Sequence, residues 1–170
     1  MKNKRIAQIV LPILIIGVVA GIWFLKNSSK SQPKAPLETP LEITKLDMDE
    51  MLSHGLPVIL DFGADACPPC LEMYSDLVAI NAEMQGRAIV HFIDVWKYPD
   101  EARDFPVQVI PTQTFFTSDR KPYVPSESLR NTIDFKMYSL KDTGEHIYTM
   151  HEGPLTKEQM LSILEDMGVK

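Results

Sequence analysis

The chain has 170 residues, of which 45% are hydrophobic, and its formal net charge is −6. From residue 43 onward it carries 21 acidic and 11 basic side chains, so this part has ten more acidic than basic groups. A nucleic-acid-binding domain needs a basic face that displaces counterions from phosphates, and the acidic excess therefore argues against nucleic acid as a partner. The length suits one domain with additional segments.

An apolar run without a charged residue extends from residue 6 to residue 25. As a helix rising about 1.5 Å per residue, it spans a hydrocarbon core of about 30 Å. Lys2, Lys4 and Arg5 precede the run, so the positive-inside rule places residues 1–5 in the cytoplasm. We therefore predict a single-pass transmembrane anchor in the cell membrane and an extracytoplasmic C-terminal domain. A cleaved signal peptide is the alternative, although its apolar region is usually shorter.

Residues 26–42 are rich in Ser, Pro and Lys. Such a segment buries too little apolar surface to fold, and its prolines favour extended backbone. The composition predicts a flexible linker that ties the membrane anchor to a folded domain at 43–170.

Alternating helical and strand patterns follow within 43–170. Nearly continuous apolar runs at 58–62 and 88–95 are typical of strands buried on both faces. Further strands are predicted at 112–117, 135–140 and 145–151, the last two joined by the turn Asp142-Thr143-Gly144. Helices are predicted at 47–54, 68–84, 98–105 and 156–167, the last with a capping box of Thr156 and Gln159. This order predicts an α/β fold, a central mixed sheet flanked by helices.

The spacing of residues within 68–84 predicts the helix there. Positions three and four apart point to one side of a helix. The residues that fit this spacing are Leu71, Tyr74, Leu77, Val78 and Asn81, and the methionines at 73 and 84 are expected in the core.

The two cysteines of the chain, Cys67 and Cys70, are separated by two prolines. A structural zinc site needs four ligands, and an iron–sulfur cluster normally needs more thiolates than two. A purely structural disulfide would close a very small loop and constrain the unfolded chain little. The pair is therefore interpreted as redox-active, without a metal and without a separate cofactor, while a structural disulfide stays the alternative.

The position of the pair favours thiol chemistry. Cys67 follows the end of a predicted strand and begins a predicted helix, and Pro68 suits the first helical turn. Backbone N–H groups at a helix N-terminus favour a thiolate over a thiol, which makes Cys67 the expected nucleophile. Cys70, one turn later, is placed to attack a mixed disulfide formed on Cys67.

Three short stretches resemble the thioredoxin superfamily. They are Asp61-Phe62 at a strand end, Cys67-Pro68-Pro69-Cys70 at a helix start, and Ile110-Pro111-Thr112 before a later strand. The resemblance covers about residues 44–117 and 143–168. It implies a thioredoxin fold preceded by the transmembrane helix and carrying an insertion before the last hairpin.

The resemblance also implies roles for individual residues. Cys67 would be the attacking thiol and Cys70 the resolving thiol, joined as a Cys67–Cys70 disulfide when oxidised. Asp61 matches a buried carboxylate that moves the proton of the resolving thiol; the alternative is a strand-end carboxylate near solvent.

A substrate-binding role is implied for the second stretch. Pro111 would be a cis-proline facing the cysteine pair, with a strand-edge proline as the alternative. Ile110 would offer backbone hydrogen bonds to an extended substrate segment. Thr112 is the third residue of the implied substrate-binding stretch.

Two features depart from the family pattern. Ala66 stands where the family often has a tryptophan immediately before the first cysteine. An insertion at about 118–134 has no predicted regular structure, and long loops of this kind are often functional. It either shapes a partner site or is a solvated excursion.

The expected function is that of a membrane-tethered thiol–disulfide oxidoreductase that reduces disulfides in extracytoplasmic proteins. Its expected partners are disulfide-bearing protein substrates and an integral membrane thiol carrier that supplies electrons. A disulfide oxidase or isomerase is the alternative within this chemistry. A non-catalytic binding module with the same fold is the alternative from another class.

Overall fold

The computed structural model describes residues 38–170 and contains four α-helices and five strands in that part of the chain. The helices are α1 (Met48–Ser53), α2 (Pro68–Met84), α3 (Glu127–Arg130) and α4 (Lys157–Asp166), and a 3-10 helix spans Pro99–Ala102. The strands are β1 (Val58–Gly63), β2 (Ile89–Asp94), β3 (Thr112–Phe116), β4 (Lys136–Ser139) and β5 (His146–Glu152). The predicted strands and three of the predicted helices are confirmed to within one residue. The short helix predicted within 98–105 forms as the 3-10 helix, which is shorter than the predicted range.

One mixed sheet with the strand order β2-β1-β3-β5-β4 lies at the centre of this part of the chain. β1 and β2 are parallel, and the other neighbouring strands are antiparallel. Every residue of β1 and β2 is buried, as near-continuous apolar strands require. Gly63 pairs with Asp94 at the shared carboxyl end of these strands. The loops that follow β1 and β2 therefore begin side by side.

The side chains of β1 alternate between two hydrophobic clusters. Ile59 packs with residues of α2 and α4, whereas Val58, Leu60 and Phe62 pack in a second cluster with Met51 of α1. Successive side chains of a strand point to opposite faces of the sheet. By this alternation Asp61 lies on the same face as Ile59, the face that α2 covers.

α2 buries Met73 and Met84, as expected, but only part of the set whose spacing indicated the helix. Leu71 and Val78 are 55% and 45% exposed. The buried residues of the helix are Cys70, Met73, Leu77, Ile80 and Met84. Apolar residues occur on both sides of this helix, so spacing alone did not show which side faces the sheet. The side that faces it carries Cys70, which is buried near β1.

The segment before residue 43, which the sequence assigned to the linker, pairs with the edge of β2. The N–H of Phe92 donates to the carbonyl of Leu41 (2.7 Å), and the N–H of Ile43 donates to the carbonyl of Phe92 (3.0 Å). Thr39 exchanges hydrogen bonds with the side-chain amide of Gln85 on α2. The linker boundary at 42 is therefore corrected: an edge strand offers unpaired backbone groups, and Leu41 and Ile43 pair with those of Phe92 in β2.

The insertion at 118–134 is not a solvated excursion. It contains α3, and Tyr123 and Ile133 belong to the main hydrophobic cluster. Tyr123 packs edge-to-face on Phe115 and Phe135, with ring centroids 6.2 Å and 6.0 Å apart. Its hydroxyl hydrogen-bonds to Asp166 of α4. The expectation of a loop without regular structure was wrong because these apolar side chains cover the sheet beside α4.

Truncation of Tyr123 tests this contribution of the insertion to stability. We expect Tyr123→Ala to lower the free energy of unfolding by about 3 to 5 kcal/mol, because a wholly buried aromatic ring is lost. The neighbouring Val124→Ala is the matched control, since Val124 is 60% exposed and its loss should change stability by less than about 0.5 kcal/mol. Denaturant unfolding of the full-length chain, followed by circular dichroism, measures both. Equal midpoints for the two variants would contradict the packing role.

No helix within residues 38–170 combines the length and apolar character needed to cross a membrane. The predicted cytoplasmic segment 1–5, the predicted span 6–25 and the first twelve residues of the predicted linker lie outside the described residues and stay predictions.

Candidate active site

Cys67 stands at the N-terminus of α2 as its N-cap residue. Its backbone is extended (φ −92°, ψ 116°), and its carbonyl accepts a hydrogen bond from the N–H of Leu71 (3.0 Å). Pro68 and Pro69, the first two residues of the helix, carry no N–H. The first backbone N–H of α2 is therefore that of Cys70. The helix N-terminus presents fewer donors to the Cys67 sulfur than an ordinary sequence would.

The second predicted stretch lies directly against Cys67. The Ile110–Pro111 peptide bond is cis, as the resemblance implied. The Cys67 thiol donates to the carbonyl of Ile110, with an Sγ–O distance of 3.8 Å. Thr112 closes this turn by donating its hydroxyl to the carbonyl of Val109 (2.7 Å). The structure thus brings Ile110 and Pro111 beside the cysteine pair, and their role in binding a substrate stays a prediction.

Both cysteines are free thiols and both are buried. They form a small cluster with Ala64 and Ile110. Burial first, and then the hydrogen bond with Cys67, raises the pKa of the Cys70 thiol to about 12. Cys70 is therefore protonated at neutral pH and needs a base before it can act as a nucleophile. The Cys67–Cys70 disulfide stays a prediction.

Asp61 lies beside Cys70 and away from solvent. The side chain is 1% exposed, so the alternative of a solvent-facing carboxylate was wrong. Burial raises the pKa of Asp61 to about 7, and the hydrogen bond from Gln113 acts in the opposite direction. A carboxyl group with this pKa is populated in both protonation states near neutral pH, which suits it to accept and return a proton.

Gly63 separates Asp61 from Cys70. A Cβ atom at this position would lie 3.3 Å from Asp61 Oδ2 and 3.5 Å from the Cβ of Cys70. It would also lie only 2.6 Å from the ring of Phe92, a distance that real Cβ contacts do not allow. Glycine therefore permits the close approach of the carboxylate, the thiol and the ring. The sequence prediction missed Gly63, and its position two residues after Asp61 in a buried strand is the signal that could have indicated it.

Gln113 is the second residue that the sequence prediction missed. It is fully buried on β3, directly opposite Asp61 on β1. Its Nε2 donates to Asp61 Oδ1 at 2.7 Å and lies 3.5 Å from the sulfur of Met73. A long amide in the middle of a buried strand, two residues after Pro111, is unusual and was the available signal.

A family model described as Thioredoxin matches residues 39–135, which is more than half of the chain and includes Cys67, Cys70 and Pro111. The chain belongs to the thioredoxin family. The matched residues extend from the edge segment at 39 to the end of the insertion. The thioredoxin fold predicted from the sequence is thus confirmed for the described domain.

Three curated relatives show how far the similarity reaches. Thioredoxin 1 of Chlorobaculum tepidum is 32% identical over 92 residues, which cover 51% of this chain and 91% of the relative. A thioredoxin of Staphylococcus aureus is 29% identical over 100 residues, covering 55% of this chain and 94% of the relative. The chloroplastic thioredoxin-like protein CITRX of Oryza sativa subsp. indica is 28% identical over 102 residues, and the chain spans about half of its length (54%).

Asp94 accepts hydrogen bonds from the loop that precedes the cysteine pair in this thioredoxin domain. Its Oδ2 accepts from the N–H of Asp65 (3.1 Å), and its Oδ1 accepts from the N–H groups of Trp96 and Lys97 (both 3.0 Å). Burial alone would raise the pKa of Asp94, but these backbone hydrogen bonds outweigh it and lower the pKa. The carboxylate thus ties the end of β2 to the loop before Cys67.

A groove of about 240 Å³ opens beside the resolving cysteine of this thioredoxin domain. Its walls include Ala64, Cys70, Leu71, Phe92 and Asp94. The residues of the loop before Cys67 that line the groove, Ala64 and Asp65, carry no aromatic ring. The groove gives Cys70 an approach that is separate from the Ile110 side.

Proposed function

We propose that this protein is a membrane-tethered thiol–disulfide oxidoreductase that reduces disulfides in extracytoplasmic proteins. The observation that carries the proposal is the position of two free thiols, Cys67 at the N-terminus of α2 and Cys70 buried one turn later beside Asp61. Cys67 is thus placed to attack, whereas Cys70 is protonated and has Asp61 beside it as a base.

In the first step the Cys67 thiolate attacks a disulfide of the substrate. The substrate S–S bond breaks, a new bond joins Cys67 Sγ to one substrate sulfur, and the other substrate sulfur leaves as a thiolate that takes a proton from solvent. The carbonyl of Ile110, 3.8 Å from Cys67 Sγ, and the backbone around Pro111 and Thr112 hold the extended substrate segment here.

In the second step Cys70 resolves the mixed disulfide. The Asp61 carboxylate takes the proton of the Cys70 thiol, and the resulting thiolate attacks Cys67 Sγ. The bond between Cys67 and the substrate breaks, the substrate leaves as a thiolate, and a Cys67–Cys70 disulfide forms. The pair gives up two electrons in total, so no further cofactor takes part.

The two prolines of the pair support the reductive direction. Donors that stabilise the Cys67 thiolate stabilise the reduced protein and raise its reduction potential. Pro68 and Pro69 remove two backbone donors from the first turn of α2. A weaker stabilisation of the thiolate lowers the potential and favours donation of electrons over donation of the disulfide.

Each turnover leaves the pair oxidised and in need of electrons. We propose an integral membrane thiol carrier as the donor, because a domain outside the cytoplasm is separated from cytoplasmic reductants. An anchor at residues 6–25 with a linker after it would hold the domain near such a carrier and raise their effective concentration.

Reduction of insulin by the full-length chain, purified in a mild detergent, tests the chemistry. With dithiothreitol as the electron source, we expect the insulin chains to separate faster than with dithiothreitol alone. Equal rates with and without the protein would contradict an oxidoreductase and support a binding module. A reduction potential of about −270 mV supports a reductase, whereas one of about −120 mV supports a disulfide-donating oxidase.

The proposed location is tested on intact cells that express the full-length chain, stripped of any outer membrane. A protease added outside should cleave within 26–37 and release a fragment that contains both cysteines. Protection of the chain until the membrane is opened would overturn the extracytoplasmic location without affecting the proposed chemistry.

A further inference from the structure

Gln113 occupies a place where stability alone would favour an apolar side chain. It is 0% exposed, and its Oε1 has no hydrogen-bond partner among residues 38–170. A buried acceptor without a partner is destabilising, because the hydration that it lost on folding is not replaced. A methionine or leucine of similar volume would avoid this cost beside Met73. The amide is therefore not explained by packing.

The contact that the amide does make is to the base of the proposed reaction. Nε2 donates to Asp61 Oδ1 at 2.7 Å across the β1–β3 pair. The other carboxylate oxygen, Oδ2, is on the side of Gly63 and Cys70. The hydrogen bond thus holds one oxygen and leaves the second oxygen directed toward the resolving thiol.

A side-chain amide can hydrogen-bond with both protonation states of a carboxyl group. As found here, Nε2 donates to the ionised Asp61. After rotation of the amide by half a turn, Oε1 accepts from the O–H of the protonated acid. The acceptor that lacks a partner in the first state gains one in the second.

We propose that Gln113 is a positioning residue that orients Asp61 toward the Cys70 thiol and sets the pH range in which that carboxylate accepts the thiol proton. This inference rests on the proposed thiol–disulfide exchange and deepens it. The groups around Asp61 are Gln113 on β3, Phe92 on β2 and Cys70 on α2, and Met73 of α2 contacts Gln113. Of these groups Cys70 alone titrates, so the pH dependence of its attack reports on Asp61.

The test isolates the resolving step with a coloured leaving group. The reduced full-length chain, in detergent, is mixed with 5,5′-dithiobis(2-nitrobenzoate). The first thionitrobenzoate is released when Cys67 attacks, and the second when Cys70 attacks the mixed disulfide on Cys67. Stopped-flow absorbance gives both rates as a function of pH. The second rate should rise with a midpoint near 7, where Asp61 loses its proton.

We expect Gln113→Met to move that midpoint upward by about one pH unit, because the amide binds the ionised carboxylate more strongly than the neutral acid, and this preference is lost. At pH 6 the second release should slow about ninefold, since less of Asp61 is then ionised. The first release should be unchanged. Gln113→Glu, which keeps the shape, should move the midpoint upward as well, because two buried carboxyl groups then share one proton.

Thr114→Val is the matched control. Thr114 is the next residue of β3 and is equally buried, and its replacement by valine removes one hydrogen bond, to the carbonyl of Thr149. It should leave the midpoint in place, which separates damage to the strand from loss of the amide. If Gln113→Met does not fold, the folded Gln113→Glu protein decides the question.

The outcomes distinguish the inference from the proposed function. A second release with the same midpoint in the wild type and in the folded Gln113 variants overturns the positioning role and leaves the oxidoreductase proposal standing. Absence of any Cys70-dependent second release in the wild type overturns both.

Discussion

Replacing Cys67 with serine should abolish disulfide reduction. A hydroxyl is not ionised near neutral pH and does not attack disulfides, so we expect insulin reduction to fall by at least about 10³-fold, to the rate of dithiothreitol alone. The fold should persist, because serine is close to cysteine in size and the Cys67 thiol makes only weak hydrogen bonds, to the carbonyl of Ile110 and to Cys70. Turbidity from the precipitating insulin chain measures the rate.

Cys70→Ser gives the complementary result. Cys67 still attacks, but no thiol follows, so the mixed disulfide with the substrate should accumulate. Mass spectrometry of the quenched protein should show one covalently bound substrate chain, which reductant removes. Val78→Ala, an exposed change on α2 outside the site, is the control and should keep full activity. Insulin reduction by Cys67→Ser at the wild-type rate would refute the assignment of the nucleophile.

Asp61→Asn should raise the stability of the protein at pH 8. In the folded chain burial raises the pKa of Asp61 from 3.8 to about 7. Between these values the unfolded chain has lost a proton that the folded chain keeps, so stability falls as the pH rises from about 4 to about 7. Each pH unit corresponds to about 1.4 kcal/mol, and the loss therefore totals about 4 kcal/mol above pH 7. Asparagine does not ionise and avoids this loss.

The same variant should slow the resolving step. Asparagine cannot take the proton of Cys70, and loss of a positioned general base costs about 10² in rate. We expect the second thionitrobenzoate release to slow by that factor at pH 7 while the first release is unchanged. A gain in stability together with a loss of rate is the pattern of a residue kept for its chemistry.

Unfolding of the reduced full-length chain in denaturant at pH 5 and pH 8 checks the stability prediction. The difference between wild type and Asp61→Asn should be about 1.7 kcal/mol at pH 5 and about 4 kcal/mol at pH 8. Asp49→Asn removes the same charge from the exposed surface and should show no such pH dependence. An equal effect of Asp61→Asn at both pH values would show that the carboxylate titrates alike in the folded and unfolded chain.

Local patterns were sufficient for the elements and for the cysteine pair. The ends of β1 and α2 follow from an apolar run, two prolines and the spacing of side chains along the chain. Cys67 and Cys70 are neighbours in sequence, and their position at a helix start follows from the strand before them. These features depend on residues a few positions apart, which the sequence displays directly.

The sequence by itself determined the strands, the long helices, the location of the thiols and the Ile110-Pro111-Thr112 stretch. Only the tertiary structure decided that α2 buries Ile80 and leaves Leu71 exposed, that the insertion fills the core with Tyr123, and that Gln113 meets Asp61. The physical reason is distance along the chain. Gln113 and Asp61 are 52 positions apart, and the pairing of β1 with β3 brings them together. A periodic pattern shows that a side chain is buried, whereas its partner depends on which element folds against it.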